Sequence, residues 1–131
     1  MQQNDMYLLQ EYQEQMDTLY RQVQLLDEFI GECQQAQNAL EDIAEGAEGE
    51  QMLVPLGGNV FMRAAIADTE KVLTGVGSDV VVEKSVSTAS DFLEKRMEEL
   101  RQREEKLIEA SQDIRARVQE LQQRLQGRGS D

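Results

Sequence analysis

The residues in this 131-residue chain that could do chemistry are few. Cys33 is the single thiol, and there is no histidine. This excludes a His-based triad, a His/Cys zinc site and any intrachain disulfide. Glu45, Glu48 and Glu50 gather around Gly46 and Gly49, but their spacing matches no EF-hand calcium loop. Gly57-Gly58 and the turn Gly75-Val76-Gly77 lack the lysine and the helix start of a phosphate loop. No catalytic residue, metal ligand or cofactor is expected, and the chain does not read as an enzyme.

These residues sit in a chain whose strongest pattern is a hydrophobic repeat that runs, stops and runs again. A 4-3 spacing falls on Leu9, Tyr12, Met16, Leu19, Val23, Leu26, Ile30, Cys33, Gln37, Leu40 and Ala44. It returns on Leu93, Met97, Leu100, Glu104, Leu107, Ser111, Ile114, Val118, Leu121 and Leu125. Cys33 therefore reads as a small buried hydrophobe rather than a nucleophile. Two matched heptad arms around a β segment predict a mainly α fold with a small β head. Two long helices form an antiparallel coiled coil, joined by two β-hairpins.

The whole chain, 1–131, reads as a single domain. The first helix is expected over 4–45, capped by Asn4 or Asp5, and would be about 60 Å long. The second is expected over 86–126, capped by Ser85 or Ser87 and stopped by Gly127. Several registers align the arms. The preferred one sets Tyr12 against Leu125, Met16 against Leu121 and Val23 against Ile114, and a shift of one heptad aligns equally well. In the preferred register Ser111 faces Leu26, Glu104 faces Cys33 and Gln37 faces Leu100. These polar positions either specify the register or soften the arm.

Between the arms, 51–84 reads as two hairpins. Val54 and Leu56 lie on the first strand, with Pro55 marking an edge or an end. Gly57-Gly58, with or without Asn59, turns the chain. Val60, Met62 and Ile66 then share a face, while Phe61 and Arg63 take the other. Val72 follows Lys71, Gly75 to Ser78 turns the chain again, and Val80 and Val82 close the second hairpin. Two small hairpins cannot cover their own apolar faces or their edges, which argues for assembly with other chains.

The charge of −13, from 26 acids and 13 bases, opposes binding to nucleic acid or an anionic membrane. The N-terminus lacks the basic and apolar regions of a signal peptide. No apolar run approaches the roughly 20 residues needed to span a bilayer, so a cytoplasmic protein is expected.

Leu53-Val54-Pro55-Leu56-Gly57-Gly58, Ala67-Asp68-Thr69-Glu70-Lys71-Val72-Leu73, Gly77 and Val81-Val82-Glu83-Lys84-Ser85 together resemble the α-type subunits of archaeal prefoldin. The match in order and spacing covers the β segment, and heptad arms of the expected length flank it. The resemblance implies an ATP-independent chaperone subunit. It would assemble through its β head with β-type subunits, as a hexamer of two α and four β chains. Non-native client proteins would be held at the coiled-coil tips and delivered to a group II chaperonin. Val54, Leu56, Val60, Met62, Ile66, Val72, Val80 and Val82 would form the assembly surface. Met1, Met6, Tyr7, Leu8 and Leu9 on one arm, with Leu121 and Leu125 on the other, are the client-binding candidates at the tips. Leu9, Leu121 and Leu125 could equally finish the coiled coil. The rival reading is a structural or adaptor coiled coil without chaperone activity.

Overall fold

The computed structural model describes residues 2–129. Helix α1 spans Gln2–Glu45 and helix α2 spans Val86–Gly129. Between them run β1 (Gln51–Gly57), β2 (Val60–Ala65), β3 (Lys71–Gly77) and β4 (Val80–Ser85). The only proline, Pro55, lies in β1, so neither helix is interrupted by one. The chain divides into two compact units. The hairpin unit is Glu32–Met97, and the two-helix unit comprises the described residues up to Gly31 and from Glu98.

In α1 the expected seam from Leu9 to Leu40 is half-buried or buried throughout. The same holds for every expected seam residue of α2 from Leu93 to Leu125. Ala44 is the exception and is exposed.

The preferred register is not the one adopted. In the hairpin unit, the Gln37 side-chain amide donates to the carbonyl of Ser90 at 3.1 Å and to the Glu94 carboxylate at 3.0 Å. Residue 37 therefore lies beside Leu93, not Leu100. In the two-helix unit, the Glu104 carboxyl hydrogen-bonds with Asp27, which puts it beside Leu26 rather than near Cys33. Both units follow the register shifted by one heptad. It sets Cys33 opposite Met97, Leu9 opposite Leu121, Met16 opposite Ile114, and Ser111 against Leu19. Leu125 then faces Asp5 rather than Tyr12. Ala44 is left opposite Val86, the first residue of α2, where the second arm has only begun.

Helix ends also differ from expectation. α1 starts at Gln2, ahead of Asn4. It stops at Gly46, where a Cβ would lie 2.7 Å from Glu50 Oε2 and 3.2 Å from the Asp42 carbonyl. A side chain there would have to displace the Glu50 carboxylate and crowd the Asp42 carbonyl. The acidic joint has a structural use, since Glu50 Oε2 accepts a hydrogen bond from Ala47 N at 3.1 Å. At the other helix, Ser85 is the N-cap. Its Oγ accepts from Thr88 N at 3.1 Å, satisfying one of the unpaired donors of the first turn. Gly127 does not stop α2, which continues to Gly129. Gly127 is not among the residues with positive φ, so it lacks the left-handed conformation that ends a helix.

The two hairpins are built alike. β1 pairs antiparallel with β2, with Val54 opposite Met62, and β3 with β4, with Thr74 opposite Val82. Each has a bulge just before its turn, at Leu56 and at Val76. The turns are Gly58-Asn59 (φ 58° and 63°) and Ser78-Asp79 (φ 48° and 61°). Positive φ at both central residues is the geometry that matches strand twist, and Asn and Asp tolerate it. The first turn thus takes Asn59 with Gly58, and the second lies at the end of the expected Gly75–Ser78 turn, because Gly57 and Gly77 complete their strands at the bulges. The first ladder extends beyond its strands by two bonds, Ile66 N to Glu50 O (2.9 Å) and Gly49 N to Ile66 O (2.8 Å), and the second by one, Val86 N to Glu70 O (2.9 Å). Between the hairpins, Asp68 Oδ1 accepts from Glu70 N (2.7 Å) and Lys71 N (3.1 Å). These two bonds hold its carboxyl below the usual carboxylate value.

Candidate functional site

Two kinds of exposed apolar surface stand out, one on the hairpins and one near the start of α1. In each hairpin, residues two apart along a strand share a face, so pairing fixes which side chains lie together. Val54, Val60 and Met62 share one face of the first hairpin. Val72, Thr74, Val80 and Val82 share one face of the second. Val60, Met62, Val80 and Val82 are exposed, as is Leu56 at the bulge, while Val54 and Val72 are half-buried. Ile66 lies just beyond β2 and is half-buried, with its Cδ1 near Gly46.

The opposite faces also carry large apolar side chains, between Arg63 on one hairpin and Lys71 and Glu83 on the other, and reasoning by alternation passed over them. Leu53 and Phe61 are exposed on the first hairpin, and Leu73 and Val81 on the second, Leu73 at 75%. The signal was available. Runs such as Met-Leu-Val-Pro-Leu and Val-Val-Val do not alternate, and continuous apolar runs are the mark of strands covered on both faces.

The two hairpins form separate two-stranded sheets, with no ladder between them among the described residues. Each sheet keeps two open edges among the described residues, and apolar side chains on both of its faces stay exposed. Lys84 ties the second hairpin to its helix, its ammonium 4.7 Å from the centre of the Phe92 ring.

In the two-helix unit, Met6 (63%), Tyr7 (70%) and Leu8 (36%) are exposed. They lie on the first turns of α1, beside the seam residue Leu9, which is half-buried. Leu125 is also half-buried. Leu121, only 3% exposed, is packed into the seam. Met1 lies outside the described residues.

The seam of this unit has a polar centre. The Asp27 carboxyl lies beside that of Glu104, and Glu104 Oε2 is buried with no other hydrogen-bond partner among the described residues. The Asp27 hydrogen bond, with desolvation and the repulsion of the Asp27 charge, pushes the Glu104 carboxyl above its ordinary value; Arg101 opposes this. Beyond it, Arg115 donates to the Tyr20 hydroxyl at 2.9 Å, and Ser111 Oγ donates within its own helix to the Ile108 carbonyl at 2.7 Å. Nothing in this arrangement resembles a catalytic constellation. The chemistry on offer is apolar contact and strand pairing. Among the described residues no helix is long and apolar enough to cross a membrane.

A family model for prefoldin subunits matches residues 12–131. The α subunit of prefoldin from Thermofilum pendens is 38% identical over 106 residues, covering 81% of this chain and 82% of the relative. The α subunit from Methanoregula boonei is 35% identical over 120 residues, covering 92% and 78%. Among solved structures, a chain of the filamentous PFD of Methanocaldococcus jannaschii aligns with a TM-score of 0.74 at 23% identity, covering 86% of this chain and 93% of that one. The prefoldin β subunit from Thermococcus strain KS-1 aligns with a TM-score of 0.60 at 18% identity, covering 95% and 89%. At those identities the two structures speak for the fold alone.

Proposed function

This chain belongs to the prefoldin family of chaperone subunits, and from that premise we propose that it is an α-type subunit that holds unfolded proteins without ATP. The observation that carries this reading is the pair of hairpins with apolar side chains on both faces and every outer edge open. A monomer that left such strands uncovered would aggregate, so they are read as surfaces completed by other subunits. The partners proposed are β-type subunits, in a hexamer of two α and four β chains. Assembly uses both faces, adding Leu53, Phe61, Leu73 and Val81 to the residues named from sequence.

With the hairpins committed to assembly, client contact is assigned to Met6, Tyr7 and Leu8. Met and Leu adapt to many apolar surfaces, which suits promiscuous capture. Leu9 and Leu125 flank that patch, whereas Leu121 supports it from within the seam. Release to a group II chaperonin in the cytoplasm completes the proposed cycle. No catalysis and no cofactor are invoked.

The test is coexpression with a β-type prefoldin subunit, followed by light-scattering mass and suppression of aggregation of an unfolded client without ATP. A hexamer that suppresses aggregation is the expected result. A stable species that excludes the β subunit and leaves the client unprotected would make this a structural coiled coil instead.

A further inference from the structure

The two hairpins match position for position at a spacing of twenty residues, 51 with 71 and 55 with 75, down to the bulge and the turn. Their outer edges can therefore be compared group by group. In an antiparallel ladder, pairs that exchange hydrogen bonds alternate with pairs whose N–H and C=O groups point away from the partner strand. Ile66 N donates to Glu50 O in the first hairpin, and Val86 N to Glu70 O in the second. Two residues on from those bonds, Met52 bonds with Ala64 and Val72 with Lys84; two further on, Val54 bonds with Met62 and Thr74 with Val82. The outward groups then belong to Gln51, Leu53 and Pro55 on β1, and to Lys71, Leu73 and Gly75 on β3.

These two edges differ by one donor. Lys71, Leu73 and Gly75 each present an N–H and a C=O. Pro55 has no N–H, so β1 offers a carbonyl alone at the matching place. The hairpin loses nothing by this, because the absent donor would have pointed outward. A strand lying along β1 would lose by it, since one of its acceptors would go unanswered. Proline at such a position blunts an edge against pairing. The outward residues of β2 (Phe61, Arg63, Ala65) and β4 (Val81, Glu83, Ser85) include no proline, so the contrast is confined to β1 and β3.

A row of donors and acceptors two residues apart is matched by another extended strand, whereas a helix has already used its backbone groups. We propose that Pro55 and Gly75 give assembly a direction: a β-type subunit adds a strand to the outer edge of β3, and the outer edge of β1 forms the weaker junction, the first to open. The inference rests on the assembly with β-type subunits proposed above and says which edge carries it. The added strand also covers Leu73, the middle residue of that edge and 75% exposed.

Parent and variants are coexpressed with a β-type prefoldin subunit, and the mass of each complex is followed by light scattering on dilution. Gly75→Pro removes an outward donor and should raise the concentration at which the complex falls apart about tenfold. The hairpin design accepts proline there, as Pro55 shows at the matching position. Gly75→Ala keeps the N–H, and its Cβ meets nothing within 4 Å, so it should assemble like the parent. Pro55→Val supplies the absent donor and should lower the dissociation concentration about fivefold, a gain that a misfolded chain could not give. The inference is overturned if Gly75→Pro assembles like the parent, if Gly75→Ala weakens the complex as much, or if Pro55→Val fails to tighten it. Self-association of this chain alone that Gly75→Pro abolishes would give the β3 edge to a second copy and overturn the choice of partner. A parent chain that forms no complex with the β subunit would overturn the assembly reading itself, and this inference with it.

Discussion

The hairpin unit and the two-helix unit carry one heptad pattern and pack it differently. In the hairpin unit Cys33, Leu40, Ala89 and Met97 are buried, Met97 completely. Small side chains, Cys33 and Ala89, let the helices close, and the one polar seam residue, Gln37, is satisfied by Ser90 and Glu94. Among the described residues of the two-helix unit only Leu121 is buried, Glu104 Oε2 has no hydrogen-bond partner besides the neighbouring Asp27 carboxyl, and one flank stays open. The same repeat therefore yields a tight anchor where the strands are held and a looser pair elsewhere. Full burial needs close approach and satisfied polar groups, not apolar residues alone.

The largest break in this contrast should come from the strands, whose surfaces are uncovered within the chain. Val54→Asp or Val80→Asp should abolish assembly with the β subunit while leaving helix content largely intact, as read by light scattering and circular dichroism. Intact complexes with both variants would refute assembly through the hairpins.

Next in size is the buried core. Met97→Ala should cost about 2–4 kcal/mol in chemical denaturation, because Met97 has no exposed surface and its loss leaves a cavity. Ile114→Ala, at a half-buried position of the other unit, should cost about half as much. Equal losses would erase the distinction between the units.

Glu104 sharpens the contrast through pH. Its folded value is raised, so the folded chain holds the proton more tightly than the unfolded chain. The stability from this group is fully present below the ordinary glutamate value and is lost as pH rises through the raised one. Glu104→Leu should remove that dependence and raise stability near neutral pH by about 1 kcal/mol, since an unsatisfied buried oxygen disappears. Denaturation midpoints for parent and variant across the acidic range would settle it, and parallel curves would count against it. The smallest effect is expected from Tyr20→Phe, which removes the bond from Arg115 on an exposed flank. A loss of about 0.5–1 kcal/mol should appear in the same assay.

Much of this was legible from residue types. Heptad spacing marked every seam residue from Leu9 to Leu40 and from Leu93 to Leu125, and the Gly-punctuated, Val-rich segment marked two hairpins. The turns were harder to place because glycine signals a positive φ but not its position. Gly57 and Gly77 serve bulges, while Asn59 and Asp79 share the turns. The second apolar face was missed because a search for alternation assumes that one face meets water. Leu53, Phe61, Leu73 and Val81 belong to strands with two faces to cover.

The sequence by itself determined the class of fold, the seam, the hairpins and the absence of histidine chemistry, because each follows from local periodicity or composition. It did not decide the register, since a heptad repeat looks the same after a shift of one heptad. The tertiary structure decided it through the connection between the arms. α1 ends at Gly46 and α2 begins at Val86, after Ser85 caps it. The adopted register sets Val86 beside Ala44, in the last turn of α1. The alternative would set it beside Gln51, already in β1, and the first turn of α2 would have no helix to pack against. That same choice removed Glu104 from Cys33, paired Cys33 with Met97, and brought Leu9 against Leu121.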